Sequence, residues 1–170
     1  IHFKKVECDW DLIEKYQKKI LEKISKGETC ENPIFILSFS DSLKLQKKAA
    51  EISAIDSNIK KIKFKSKFNK RIKIAYFSSD FREHAVSRLI KGLLRSHNRK
   101  DFEIIGFDLN NNLNKNNTYD SKFLKLFDNY ITTFGKTDEN ISKLSREMKI
   151  DIAVDLMGYT NNNRFKIFSY

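Results

Sequence analysis

The 170-residue chain predicts an α/β domain, a parallel sheet with helices on both faces, preceded by a helical lead-in. Three observations carry that expectation. From Lys70 onward the pattern runs strand, helix, strand, helix, strand, helix, strand, the signature of consecutive βα units joined by right-handed crossovers. FEIIGFDL at 102–109 is almost continuously apolar, as a strand covered on both faces must be. RIKIAYFSSDFREH at 71–84 begins as a buried strand and breaks into a polar turn just ahead of a helical pattern. In a parallel sheet such a switch lies at the carboxyl edge, where loops converge on a ligand crevice.

The elements follow in order. Residues 9–26 place Ile13, Tyr16, Ile20 and Ile24 at helical spacing, with Asp11 and Glu14 as a capping box and Gly27 as the stop. Trp10 belongs to the stripe that must pack on something. Asn32 and Pro33 interrupt the pattern, and IFILSF is too short to assign. A second helix at about 41–54 starts from capping residues at Ser40–Ser42 and turns Leu45, Ala49 and Ile52 to one side. KKIKFKSKFNK at 60–70 reads as a basic, solvated linker, so residues 1–69 form the lead-in and 70–170 the sheet domain. The first strand is 71–77. Its helix, from about His84 to Ser96, carries Val86, Leu89, Ile90, Leu93 and Leu94 as a broad apolar face. After the strand at 102–109 comes an asparagine-rich loop, 110–117. A helix at 118–127 presents Tyr119, Phe123, Leu126 and Phe127, and a short strand follows at about 129–133. TDEN at 137–140 caps a helix with Ile141, Leu144 and Met148 inward. DIAVDL at 151–156 is the last strand.

Composition narrows the function classes. The formal charge of +11 would suit a polyanionic partner, but the excess is lysine scattered along helices and linkers, and no nucleic-acid motif organises it. Two cysteines, Cys8 and Cys30, are too few and too far apart for a metal or redox signature and suit a reducing compartment. No apolar run approaches the roughly 18 residues of a membrane helix. The expectation is a cytoplasmic protein that binds neither membrane nor nucleic acid. Because the chain opens on Ile1 and ends on an apolar aromatic run, it reads as a piece of a longer one.

The five glycines form no dinucleotide fingerprint or phosphate loop, and the three histidines lack zinc-site spacing. Chemistry therefore points to the turn at Ser78, Ser79, Asp80, Arg82 and His84. A histidine at a helix start can be a cap, a satisfied core group or a catalytic base. The helix N-terminus disfavours positive charge there, which leaves a ring nitrogen able to accept a proton. Asp80 suits the cap of the following helix better than direct acid–base work, and from that place it could support His84. The second stretch is DLMGYT at 155–160, which leaves a strand at the same sheet edge, with Gly158 supplying unusual backbone angles.

SSDFREHAVSRLIKGLLRSHNRKDFEIIGFDL, followed by DIAVDLMGYTNNNRFKIFSY, resembles the N-terminal half of the catalytic region of O-linked N-acetylglucosamine transferases, particularly their bacterial relatives. CDW at 8–10 and ENPIFILSFSDSLKLQKKAAEI at 31–52 resemble the segment joining tetratricopeptide repeats to the catalytic core. The resemblance implies the first Rossmann-like lobe of a two-lobed GT-B glycosyltransferase. The lobe holding most of the nucleotide-sugar site would lie beyond Tyr170, and this piece alone would be inactive. The implied reaction moves N-acetylglucosamine from UDP-N-acetylglucosamine to a protein or peptide Ser/Thr hydroxyl with inversion, using no cofactor or metal. His84, closing the SxDFxxH pattern, is implied as the general base, and Ser79, Asp80 and Phe81 of the same turn as substrate-binding residues. Gly158, Tyr159 and Thr160 are implied as binding residues of the interlobe cleft. Some relatives carry a histidine in the segment matching NYITT, where this chain has Asn129 and Tyr130, so that role does not transfer. The alternatives are a related transferase with a fucose or glucose donor or an asparagine acceptor, and a non-catalytic basic binding module.

Overall fold

The computed structural model describes residues 10, 13–28, 32–54, 62–63, 69–111 and 121–170. Cys8, Cys30, the Asp11 half of the capping box, most of the basic linker and of the asparagine-rich loop, and Tyr119 lie outside them. The chain divides into two compact units, Ile1–Asn58 and Ile59–Tyr170.

In the first unit, α1 (Ile13–Lys26), α2 (Pro33–Ile36) and α3 (Leu43–Ala54) enclose a small core of Ile24, Ile36 and Ala49, with Ile20, Leu45 and Ile52 against it. Gly27 ends α1 at φ +83°, while Glu28 N–H donates to the Lys23 carbonyl at 2.9 Å, the left-handed stop expected of glycine. The unassigned IFILSF segment starts a single helical turn, opened by Pro33 and capped by Asn32. Two expectations fail here. Trp10 is 64% exposed and Tyr16 43%, because the α1 side chains on this core are Ile20, Leu21 and Ile24.

The second unit is the sheet: β1 (Ile72–Ser78), α4 (Ala85–Ser96), β2 (Phe102–Asp108), α5 (Ser121–Leu124), β3 (Asn129–Thr132), α6 (Asp138–Glu147), β4 (Ile152–Asp155) and a 3₁₀ turn at Phe165–Ser169. All pairings are parallel, in the order β3-β2-β1-β4. Two connections step one way across the sheet and the third returns past β1. With crossovers of one hand, the reversal puts the last helix on the opposite face. That is where α6 lies. One face buries Ile74, Tyr76, Ile104, Phe81 and Leu94 with Phe123 and Phe127; the other buries Ala75, Phe77, Ile105 and Phe107 with Ile141 and Ile167. The strict alternation along β1 and β2 is the two-sided burial that their sequences demand.

The broad face expected of α4 is narrower. Leu94 is fully buried and Ile90 packs on the core, but Leu89 and Leu93 stay 80% and 50% exposed. They lie on a flank of the helix turned away from its core contacts. The expected helix at 118–127 is reduced to one described turn, Ser121–Leu124. Phe123 and Phe127 still reach the core.

Gly106 in β2 has a packing reason. A Cβ there would meet Tyr130 Cδ2 at 3.0 Å and Phe127 Cδ1 at 3.1 Å, so the rings rest directly on the bare backbone. We expect Gly106→Ala to cost about 1–3 kcal/mol, the range for overpacking a filled core, measured by urea unfolding.

The C-terminal end of α4 carries a titrating pair. Tyr76 Oη and His97 Nε2 are 2.8 Å apart. Burial and then the nearby Arg99 charge hold the His97 pKa below its ordinary value. The unfolded chain therefore takes up the proton first as pH falls. The stability due to neutral His97 is present above about pH 6.5 and is lost as pH drops through the lower folded value. We expect urea midpoints to fall between about pH 7.5 and about pH 5.5, and His97→Gln to flatten that part of the profile.

Candidate functional site

The reversal of strand order puts β1 and β4 side by side, with Phe77 paired to Asp155. The loops leaving their carboxyl ends, 79–84 and 156–160, therefore share one edge at the topological switch point, where open α/β sheets bind ligands. They also touch. Met157 is 3% exposed, and its Sδ accepts from Ser78 Oγ, Ser79 Oγ and Ser79 N–H, each at 3.4 Å.

Each turn is fixed by its own polar side chains. Ser78 Oγ accepts from Asp80 N–H at 3.0 Å, and the Asp80 carbonyl accepts from Ser87 Oγ at 2.7 Å, tying the loop to α4. Phe81 anchors it from below. At 1% exposure, packed against Phe123, Phe127 and Tyr130, its ring presents no surface to a ligand and acts by holding the turn. Asp155 does the equivalent across the sheet edge, accepting from Met157 N–H at 2.9 Å and Gly158 N–H at 3.2 Å. Gly158 sits at φ +51°. Thr160 Oγ1 donates to the Met157 carbonyl at 2.7 Å, and the Tyr159 ring leans on Phe165.

His84 is itself the N-cap of α4: its backbone is extended and Nδ1 accepts from Val86 N–H at 3.3 Å. This corrects the expectation that Asp80 caps that helix. The helix begins at Ala85, so a side chain at 80 lies too far upstream, and its carboxylate instead accepts from Arg82 Nη2 at 3.2 Å. Asp80 Oδ2 also approaches His84 Nδ1 at 3.7 Å. Two hydrogen-bond states of the ring follow. With the cap made, Nδ1 uses its lone pair and Nε2 carries the proton as a donor. With the proton on Nδ1 facing Asp80, the Nε2 lone pair is free to accept one.

Of the residues named from sequence, Arg82, His84 and Ser79 line cavities. One, of about 330 Å³, is lined by Arg82, Glu83, His84, Ser87, Arg88, Lys91 and Phe123. The other, of about 240 Å³, is lined by Ser79, Leu109, Asn110, Asn111, Asn162, Asn163 and Arg164. His84 and Ser79 thus serve different hollows, and Gly158, Tyr159 and Thr160 line neither.

Sequence reading missed three residues that build this edge. Asp108 ends β2 at 3% exposure and accepts from Tyr130 Oη at 2.9 Å and Asn110 N–H at 2.9 Å. Arg164 donates from Nε to Asp138 Oδ1 at 2.6 Å and from Nη2 to the Lys136 carbonyl at 2.7 Å, tying the 3₁₀ turn to the start of α6. Met157 is the third. Only Asp108 carried a signal, a carboxylate closing the apolar run Ile104–Phe107. Among the described residues no cluster of three or more His, Cys, Asp or Glu side chains could hold a metal ion.

The family model for "Glycosyl transferase family 41" matches residues 42–170. The chain belongs to glycosyl transferase family 41. Among family relatives, the Arabidopsis thaliana protein named "Probable UDP-N-acetylglucosamine--peptide N-acetylglucosaminyltransferase SEC" is 30% identical over 100 residues, covering 59% of this chain and 10% of that protein. The SPINDLY protein of the same plant, with the same probable activity in its name, is 32% identical over 94 residues, 55% of this chain and 10% of its own length. A Caenorhabditis elegans UDP-N-acetylglucosamine–peptide N-acetylglucosaminyltransferase is 22% identical across 95% of this chain and 16% of its own. A solved structure, the K341M mutant of Thermobaculum terrenum O-GlcNAc transferase, superposes with a TM-score of 0.51 at 25% identity, covering 59% of this chain and 19% of that one. The parallel four-stranded α/β sheet is thus similar in fold to a part of that O-GlcNAc transferase. The chain spans about a tenth of the length of the plant relatives.

The Asp155 turn offers a direct check. Asp155→Ala removes the acceptor of two backbone N–H groups, and we expect a loss of about 1–2 kcal/mol, as for a lost cap. Amide exchange at Met157 and Gly158 should rise by more than that at Ile104 in the core. Equal changes at all three would mean that the carboxylate does not hold the turn.

Proposed function

We propose that this chain is the acceptor-side lobe of a glycosyltransferase that moves N-acetylglucosamine from UDP-N-acetylglucosamine to Ser or Thr hydroxyls of proteins. The observation that carries the reading is His84, set at the sheet's carboxyl edge beside an open cavity with Asp80 behind its Nδ1, on a chain of family 41. The acceptor oxygen attacks the anomeric carbon with inversion, the bond to the nucleotide diphosphate breaks, and the hydroxyl proton passes to His84 Nε2. For that transfer Nδ1 must carry its proton toward Asp80, so the cap on Val86 opens as the 3.7 Å approach closes to a hydrogen bond. Catalytic hydrogen bonds commonly tighten in this way when substrate arrives. Ser79, Gly158, Tyr159 and Thr160 shape the rim on which donor and acceptor meet, and Phe81 keeps the loop in place. Leaving-group stabilisation falls to a second lobe, without a metal, and tetratricopeptide repeats precede the lead-in. The compartment is cytoplasmic, in keeping with two cysteines in the chain and, among the described residues, no helix long and apolar enough to cross a membrane.

Two substitutions separate catalysis from capping in the full-length protein. Asparagine is a good N-cap but no base, so His84→Asn keeps the helix start while removing the imidazole. If the ring accepts the proton, His84→Asn and His84→Ala both lose about a hundredfold to ten-thousandfold in transfer rate, while donor affinity changes far less. Near-normal turnover by His84→Asn would leave the histidine a cap and sink the mechanism.

A further inference from the structure

We propose that the cavity beside His84 is a subsite for an acidic side chain of the acceptor polypeptide, which rests on the reading of His84 as the residue at the acceptor hydroxyl. Among the described residues its lining carries three cations, Arg82, Arg88 and Lys91, against one carboxylate, Glu83. Asp80 behind Arg82 leaves the balance positive. Phe123 gives the hollow an apolar wall, and its volume of about 330 Å³ is about ten times the roughly 30 Å³ share of a water.

The cations differ in readiness. Arg82 is steadied by Asp80 at 3.2 Å, which orients a guanidinium that still has donors to offer. The Arg88–Glu83 pair is 3.1 Å long, but its side chains are 74% and 71% exposed, so it is weak and exchangeable. An incoming carboxylate can take Arg88 at little cost and gain a charge-assisted, bidentate contact.

Spacing fixes where that carboxylate must sit. Arg88 and Lys91 follow His84 by four and seven residues on one face of α4, about 6 Å and about 10 Å along the helix axis. An extended peptide advances about 3.3 Å per residue. With its hydroxyl at His84, a peptide lying along α4 therefore brings residues two or three positions away over these cations.

The test uses the full-length protein, UDP-N-acetylglucosamine, and peptides with one serine and a single Asp or Asn stepped through the flanking positions. We expect kcat/KM to favour Asp by about three- to tenfold, the scale of one or two partly exposed charge pairs, at two or three residues on one side of the serine only. The preference should fade as salt rises. The Arg88→Glu/Lys91→Glu double variant should turn it toward Lys at the same positions. Equal rates for Asp and Asn, a preference spread evenly over all positions, or one that survives the double variant would overturn the subsite while leaving the transferase reading standing. If no peptide is glycosylated, the transferase reading fails instead, and the subsite is judged on this chain alone. Nuclear magnetic resonance titration should then show shifts at Arg88 and Lys91 larger with the Asp peptide than with the Asn peptide, and equal shifts would refute it.

Discussion

The ladder that joins β1 to β2, from Ile72–Phe102 to Ser78–Asp108, is the constraint on which the rest of the second unit depends. Both strands are buried on both faces toward their carboxyl ends, so each backbone amide must find its partner within the sheet. The pairing runs to the last residue, and the chain passes from satisfied ladder to functional turn without an intermediate stretch. Ser78 illustrates the economy. Its carbonyl accepts from Leu109 N–H at 2.8 Å, while its hydroxyl accepts from Asp80 and donates to Met157. A shift of register by one residue would reverse both faces and turn the serine pair away from β4.

The elements that sequence made legible are those whose pattern is local. Alternation in IKIAYFS and the apolar run of FEIIGFD gave both central strands, and the TDEN start of α6 was visible because a Thr side chain caps an amide three residues on. What stayed hidden depends on partners far along the chain. The ties of Arg164 to Asp138, 26 residues away, and of Met157 to Ser79, 78 residues away, leave no spacing to read. Leu89 and Leu93 misled for a related reason. Helical periodicity tells which side chains lie together, and how wide a stripe the neighbouring layer covers is decided by that layer.

In the turn after β1, sequence assigned the helix cap to Asp80, and the structure gives it to His84. Asp is the stronger N-cap by preference, yet geometry gives the position to His84, since the turn after Ser79 uses its residues to return Phe81 to the core. The consequence is chemical. One nitrogen of His84 is shared between holding a helix and facing a carboxylate, so its hydrogen-bond state is coupled to the order of the first turn of α4.

β4 closes the sheet on one side with four residues, and its outer edge has no strand beside it among the described residues. Ile152 is 46% exposed there. An edge of that kind is a template: any extended segment that pairs with it in parallel has its direction fixed, and its carboxyl end emerges next to Gly158. β3 ends the sheet on the other side, so an added strand has two such edges to choose from, and the exposed Ile152 side chain distinguishes the β4 edge.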